Sequence, residues 1–173
     1  MAGSLGSTAV PKISIGSAPV VRVSLGTALL WDGVPFVPVS AKLTTAFPTS
    51  KTSYTQVKGF TADSAYPGST VVADALIIPN AGEGVTLSAS MYFNAGSSYP
   101  LDLTLQLWLD GVNIKTGTKA TAPAFGSSTA TVSITGQAVS AGSQLVLYAL
   151  GGSQFNAPTI PVNASSYLRA SMP

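Results

Sequence analysis

The sequence predicts an all-β protein, and three features of its 173 residues support that prediction. Leucine occupies every odd position from Leu101 to Leu109, and because strand side chains alternate, all five leucines fall on one face. Only 8% of the residues are charged, against roughly 25% in an ordinary soluble domain. Serine, threonine, alanine and glycine stand where a helical surface would carry glutamate and lysine, so helix formers are scarce.

The run from Leu101 to Leu109 predicts a half-buried strand and the hairpin that follows it. Asp110-Gly111 comes next, and this pair supplies the positive φ angles of a tight hairpin turn. The partner strand is therefore predicted at Val112–Thr116. A strand with one apolar face needs a second layer to cover it, so the chain is expected to build a facing sheet.

A repeat of period ten occupies the front of the chain, within residues 5–27. Its marks are three aligned tripeptides: Leu5-Gly6-Ser7, Ile15-Gly16-Ser17 and Leu25-Gly26-Thr27. Each unit is a short β-prone run closed by a glycine turn, and strands this short are marginal alone. Two interpretations stay open: a small β-meander packed on the main domain, or an adaptor that adds strands to another protein.

We assign residues 1–33 to this β-repeat as an anchoring segment. The residues expected to make the anchor are its apolar ones, namely Ile13, Ile15, Val23, Leu25 and Trp31. Residues 34–53 follow with Pro35, Pro38 and Pro48. Since proline fixes φ and cannot join a central ladder, this stretch is predicted to be an extended linker.

Residues 54–173 carry the regular strand signals of the main domain. Eight strands are predicted: Tyr54–Thr61, Thr70–Ile78, Val85–Phe93, Leu101–Leu109, Val112–Thr116, Thr129–Thr135, Gln144–Leu150 and Ser166–Met172. Turn clusters such as Tyr66-Pro67-Gly68 separate them, and no stretch has helical periodicity. About eight short strands predict a jelly-roll-like antiparallel β-sandwich of two four-stranded sheets.

The front repeat resembles one that is common in minor tail proteins of long-tailed bacteriophages, especially those infecting actinobacteria. The residues concerned run from Lys12 to Trp31 and include Ile15-Gly16-Ser17, Val20, Arg22, Val23, Leu25-Gly26-Thr27 and Leu29-Leu30-Trp31. The chain departs from that pattern at Ser14 and Ser24, where the family has bulkier residues, and at Leu30, where it has valine. The resemblance implies membership of a virion and implies no chemistry.

The main domain carries two further resemblances. The segment Tyr167-Leu168-Arg169-Ala170 resembles the last strand of many phage jelly-roll domains. The strand layout is also similar to that of trimeric tumour-necrosis-factor-like heads. Together with the low charge, which favours association, these resemblances imply a subunit that assembles with copies of itself as a homotrimer.

Catalysis and metal binding are not expected of this chain. It has no histidine and no cysteine, which removes His-based triads, thiolate chemistry and the usual zinc and copper sites. Asp102 and Asp110 lie about 27 Å apart along an extended strand, far beyond the reach of a paired-carboxylate glycosidase site. We therefore predict no enzyme activity, no cofactor and no metal.

Nucleic-acid and membrane partners are not expected either. The lysines and arginines never run together, so they form no basic stripe, and no window is long and apolar enough for a membrane helix. The first residues lack the features of a signal peptide. The expected location is a virion, the phage tail first and the capsid surface second, after synthesis in the host cytoplasm.

Tyr92 and Trp108 are the candidate binding residues of the main domain. Each is expected to point outward, opposite the apolar stripe of its own strand. Outward aromatic residues mark an interface between subunits, a surface under a covering loop or a platform for sugars, and all three readings stay open.

The function expected from the sequence is that of a non-enzymatic structural protein of a phage particle, most specifically a minor tail protein. In this reading the front segment contacts other virion proteins and the sandwich projects as an oligomer. The alternatives are a capsid decoration protein and a carbohydrate-binding module that recognises host cell-wall glycans.

Overall fold

The computed structural model describes residues 35–152 and 156–172, together with the backbone of four short strands between residues 14 and 32. All the regular secondary structure in these described parts is β-strand. The chain divides into two compact units, Met1–Pro35 and Phe36–Pro173.

The described residues of the front unit form two antiparallel hairpins. Its strands are β1 (Ser14–Ile15), β2 (Ala18–Pro19), β3 (Arg22–Leu25) and β4 (Ala28–Asp32). β1 pairs with β2, and β3 pairs with β4. The first strand of the first hairpin ends at Ile15, and the first strand of the second hairpin ends ten residues later, at Leu25. The strand ends therefore follow the period of the sequence repeat.

The predicted anchor residues of this unit lie beyond what the structure describes. Ile13 is outside the described residues altogether. Ile15, Val23, Leu25 and Trp31 have a described backbone, within β1, β3 and β4, but their side chains are outside the description. Their role as an anchor stays a prediction.

The second unit consists of fourteen described strands in two sheets. They are β5 (Val39–Leu43), β6 (Phe47–Pro48), β7 (Thr55–Gln56), β8 (Phe60–Ala62), β9 (Thr70–Val72), β10 (Ala75–Ile77), β11 (Gly82–Asn94), β12 (Leu101–Leu109), β13 (Val112–Thr116), β14 (Ala120–Ala122), β15 (Ser127–Val139), β16 (Gln144–Gly151), β17 (Thr159–Ile160) and β18 (Tyr167–Ser171). All the pairings among them are antiparallel.

Each sheet has seven of these strands. Sheet I has the order β13-β12-β16-β10-β9, with β14 also on β12 and β7 also on β16. Sheet II has the order β6-β17-β11-β18-β5-β8. β15 pairs with β11 along the edge opposite to the one that pairs with β17 and β18. Strands distant in sequence are therefore neighbours in both sheets. The two sheets form the predicted sandwich, but the predicted four strands in each sheet were wrong, because several predicted strands are divided and short strands join the edges.

The apolar core lies between the two sheets. From sheet I, Leu103, Leu105 and Leu107 are fully buried. From sheet II, Leu87 and Phe93 are equally buried in the same cluster. Because burying a leucine or phenylalanine side chain stabilises the fold by about 1.5–3 kcal/mol, the alternating positions of these strands are the main source of stability.

The predicted central hairpin is confirmed with its bounds. β12 and β13 span the predicted residues, and β12 alternates between buried and partly exposed side chains as far as Leu107. Asp110 and Gly111 have φ angles of 50° and 81°, as a tight hairpin turn requires. Leu109 is only partly buried, at the end of the strand, and packs against the edge of the core.

The all-β sandwich is confirmed, but the linker predicted over residues 34–53 was wrong at β5. β5 lies inside sheet II, between β18 and β8, and its Val39, Ala41 and Leu43 are buried. Pro38 precedes the strand, where no ladder hydrogen bond is needed, and Pro48 lies in the two-residue strand β6. The compact unit therefore begins at Phe36 and not at residue 54.

The strand predicted over Thr70–Ile78 is two strands, β9 and β10, joined by a tight turn. Ala73 and Asp74 form the turn with φ angles of 49° and 62°. The Asp74 carboxylate accepts hydrogen bonds from the backbone N–H groups of Gly59 (2.7 Å) and Phe60 (3.2 Å). These bonds tie the turn in sheet I to the start of β8 in sheet II and offset the strained backbone.

Candidate interaction surfaces on the two sheets

The outward side of sheet II carries mainly serine and threonine side chains, together with two tyrosines and one arginine, and we call it the Ser/Thr face. Its residues are Thr86, Ser88, Ser90 and Tyr92 on β11, Thr129, Thr131 and Ser133 on β15, and Tyr167 and Arg169 on β18. Their neighbours in sequence, such as Leu87 and Val132, are buried in the core, so the alternation turns the hydroxyl groups outward. Ser88 lies opposite both Ser133 and Arg169.

Arg169 lies between two tyrosine rings near the middle of this face. Its guanidinium carbon is 4.7 Å from the ring centroid of Tyr66 and 4.5 Å from that of Tyr167. Stacking of this kind contributes about 0.5–2 kcal/mol, depending on exposure. The Nε atom of Arg169 and the hydroxyl of its neighbour Ser40 are buried without a hydrogen-bond partner among the described residues.

A buried carboxylate, Asp63, lies beside this arrangement. It is 3% exposed, and its Oδ1 is 3.0 Å from the Lys42 ammonium nitrogen. Burial raises the pKa of Asp63, but the hydrogen bonds from Lys42 and from the backbone N–H of Ala65, with the positive charges of Lys42 and Arg169, outweigh that effect. The pKa of Asp63 therefore lies below its ordinary value of 3.8.

The lowered pKa of Asp63 predicts that the fold loses stability in acid. The unfolded chain binds the proton first as the pH falls, so the contribution of the charged form is present above pH 3.8 and lost as the pH falls through the lower folded value. Asp63→Asn is expected to be less stable than wild type at neutral pH, by a difference that shrinks towards about pH 3. Urea unfolding at several pH values measures this difference.

Glu83→Gln is the control for this measurement, because it removes one negative charge from an exposed side chain. A difference between Asp63→Asn and wild type that stayed constant from neutral pH to about pH 3 would contradict the prediction.

The outward side of sheet I carries a pair of aromatic rings, Trp108 on β12 and Tyr148 on β16. Their centroids are 4.8 Å apart and the ring planes are inclined at 36°. The indole N–H of Trp108 donates a 3.1 Å hydrogen bond to Oε1 of Gln106. In the strand register Tyr148 lies opposite Gln106 on one side and Gln56 on the other, so a ring stands between two carboxamides. We call Trp108, Tyr148, Gln106 and Gln56 the aromatic patch.

An open groove of about 710 Å³ adjoins the aromatic patch on the side of Gln56. The residues that line it are Phe47, Pro48, Thr49, Ser50, Tyr54, Thr55, Gln56, Lys58 and Tyr148. Tyr148 and Gln56 belong to both the patch and the groove, which makes the two a continuous surface. Lys58 is the one charged residue among the lining residues.

The structure separates the two aromatic residues that the sequence singles out. Tyr92 is on β11 of sheet II and Trp108 is on β12 of sheet I, so they lie on different sheets and share no platform. The partner of Trp108 is Tyr148, which was not predicted from the sequence. The signal was present, because Val146, Tyr148 and Leu150 alternate with buried Leu145, Leu147 and Ala149 along β16.

The carboxylate of Asp102, on the outward side of β12, is held by two neighbouring side chains. Asp102 accepts hydrogen bonds from Lys119 (2.8 Å) and from the hydroxyl of Thr121 (2.6 Å). Burial raises the pKa of Asp102, but these bonds and the charge of Lys119 outweigh it and lower the pKa. Within residues 35–152 and 156–172 no three acidic side chains come together as a metal site would need, and none of the described elements is a membrane-spanning helix.

Comparisons with known proteins bear on the fold alone. Eiger TNF from S. frugiperda matches with a TM-score of 0.52 and 10% identity, over 79% of this chain and 91% of that chain. The fold is a jelly-roll β-sandwich. Murine APRIL at pH 5.0 matches with a TM-score of 0.49 and 8% identity, over 79% of this chain and 98% of that chain. No protein-family model and no curated protein sequence matches the chain.

Proposed function

We propose that this chain is a non-enzymatic structural subunit of a bacteriophage particle, and specifically a minor tail protein. In this proposal the front unit attaches the subunit to other virion proteins, and the jelly-roll unit associates with copies of itself as a homotrimer. The observation that carries the proposal is the front repeat, whose sequence resembles that of phage tail proteins.

The described strands of the front unit suit attachment to a partner, because strands of another protein would extend them. Each described hairpin has only two strands, of two to five residues each. A two-stranded hairpin is marginal in water, so additional strands from another protein would stabilise it. Its position in a compact unit separate from the sandwich fits a segment that attaches independently.

The Ser/Thr face suits association of the sandwich with copies of itself. The small serine and threonine side chains of this face permit close approach, and burying them costs little when a partner supplies hydrogen bonds. A chain with 8% charged residues also has little charge to keep its copies apart.

Deletion of residues 1–33 tests the proposed attachment. The deleted chain keeps the whole sandwich unit, which begins at Phe36, so we expect it to fold and to be absent from assembled particles. The measurement is mass spectrometry of particles purified from infected cells that make either chain. Val162→Ser, at an exposed position of the sandwich, is the control and should be incorporated as the wild type is.

Incorporation of the deleted chain at the wild-type level would contradict attachment through the front unit. Antibody labelling of the purified particles then separates the two virion positions. Label on the tail supports the minor tail protein, whereas label on the shell would replace it with a capsid decoration protein.

A further inference from the structure

We propose that the aromatic patch and its groove bind a neutral glycan, with a sugar ring stacked on Tyr148 and its hydroxyl groups bonded to Gln106 and Gln56. This inference goes beyond the structural role and does not depend on it. It rests on side chains of the sandwich unit, chiefly of sheet I, and on none of the residues of the front unit.

The aromatic rings supply the stacking surface. Trp108 and Tyr148 are both half-buried, which leaves part of each ring accessible on the outward side of the sheet. The electron-rich face of such a ring attracts the slightly positive C–H groups of a pyranose. Because the Trp108 indole is bonded to Gln106 and the two rings touch, their orientation is set before a ligand arrives.

The two carboxamides beside Tyr148 supply complementary hydrogen-bonding groups. Gln106 uses its Oε1 to accept from Trp108, so its NH₂ group has no bond within the described residues and is available to donate. Gln56 uses its Nε2 to donate to the backbone oxygen of Ala73 at 3.0 Å, so its Oε1 is available to accept. Opposite positions on neighbouring strands are about 4.5–5.5 Å apart. The donor of Gln106 therefore lies on one side of the Tyr148 ring and the acceptor of Gln56 lies on the other.

The groove extends the site beyond one sugar. It continues from Tyr148 past Gln56 to Tyr54, which adds another aromatic residue, and Thr49 and Ser50 line it with hydroxyl groups. Its volume of about 710 Å³ falls in the range of ligand sites, roughly 300–1,000 Å³. A ligand of several linked sugars therefore fits this surface better than a monosaccharide does.

The charge of the site selects a neutral ligand. Lys58 is the one basic residue of the groove, whereas a polyanion such as a nucleic acid needs several cations along its path. A protein surface is a poorer match, because covering the patch with apolar side chains would leave the available groups of Gln106 and Gln56 buried without partners. Each such group costs about 1–3 kcal/mol, and sugar hydroxyl groups avoid that cost.

Titration of the full chain with defined oligosaccharides tests the inference. The probes are maltohexaose, cellohexaose and chitohexaose, added separately to protein carrying Trp31→Phe, so that Trp108 is the one fluorescent indole. We expect at least one probe to give a saturable change in fluorescence. Tyr148→Leu should weaken the binding of that probe by at least about tenfold, whereas Tyr148→Phe, which keeps the ring, should retain it.

Two further variants complete the test. Gln106→Glu keeps the acceptor for Trp108 and removes the free donor, so it should also weaken binding about tenfold, and it decides the matter if Tyr148→Leu fails to fold. Tyr92→Leu, on the opposite sheet, is the matched control and should bind as the parent does. The inference is overturned if no probe gives a change up to about 10 mM, or if Gln106→Glu binds as tightly as the parent.

Discussion

Replacement of Leu105 by alanine is expected to lower the free energy of unfolding of the sandwich by about 2–5 kcal/mol. Leu105 is 0% exposed at the middle of β12, and in the register it lies opposite Ala149, a small residue with little volume to fill the gap. The loss combines the lost burial of the side chain with the cost of the cavity. Since a domain is stable by only about 5–15 kcal/mol, much of the stability would be lost.

Urea unfolding followed by far-ultraviolet circular dichroism measures this change. Wild type and variant are compared at one protein concentration, because association would make the apparent stability depend on concentration. The matched control is Thr104→Ala. Thr104 immediately precedes Leu105 and lies on the outward face, so its replacement should change the free energy of unfolding by no more than about 0.5 kcal/mol. Equal effects of the two substitutions would contradict the assignment of the leucines to the core.

Replacement of Thr131 by arginine is expected to dissociate the proposed homotrimer. Thr131 is exposed on β15 and lies opposite Ser90 on the Ser/Thr face. Association through this face would bury one uncompensated arginine from every copy, and truncating or mispairing a buried charge costs several kcal/mol. We expect the association constant to fall at least about a hundredfold, as measured by sedimentation velocity over a series of protein concentrations.

Thr116→Arg is the matched control, since Thr116 is an exposed threonine in the same kind of position on sheet I. It should leave association unchanged. A wild-type chain that sediments as a monomer at high concentration would contradict self-association altogether. Dissociation by Thr116→Arg and not by Thr131→Arg would move the interface to sheet I, and would also contradict a free glycan site there.

The elements best predicted from the sequence are those whose signal is local. In Leu101–Leu109 the alternation of leucine and other residues in the sequence runs unbroken for nine residues. Asp110-Gly111 then supplies the positive φ angles of a tight hairpin turn, which few other residue pairs adopt readily. The long strand Gly82–Asn94 extends beyond its predicted bounds because glycine and glutamate lack strand preference on their own. Pairing with β15 carries these terminal residues into the ladder.

The elements that were missed depend on distant partners. Val39–Leu43 has three inward apolar residues, but the surrounding prolines conceal a strand that is held by pairing with Tyr167–Ser171, far along the chain. The turn at Ala73 contains no glycine, so its positive φ angle is unexpected until the bonds of Asp74 to the neighbouring sheet are known.

The candidate site shows the same limit. The outward direction of Trp108 follows from the period of its strand, which the sequence displays. Its neighbour Tyr148 and the amide of Gln56 come from β16 and β7, and only the order of strands in sheet I brings them together. A pattern along one strand indicates which side chains share a face, whereas the members of a site are set by which strands pair.

The place of β5 in sheet II has a consequence for the synthesis of the protein. β5 leaves the ribosome more than a hundred residues before β18, the strand that must lie beside it. Until residue 171 has emerged, Val39, Ala41 and Leu43 lack one of their two neighbouring strands, and the apolar side of a growing sheet stays open to water. Pairing between strands so far apart in sequence is slow, so we expect this apolar surface to be prone to aggregation until the last strand joins the sheet.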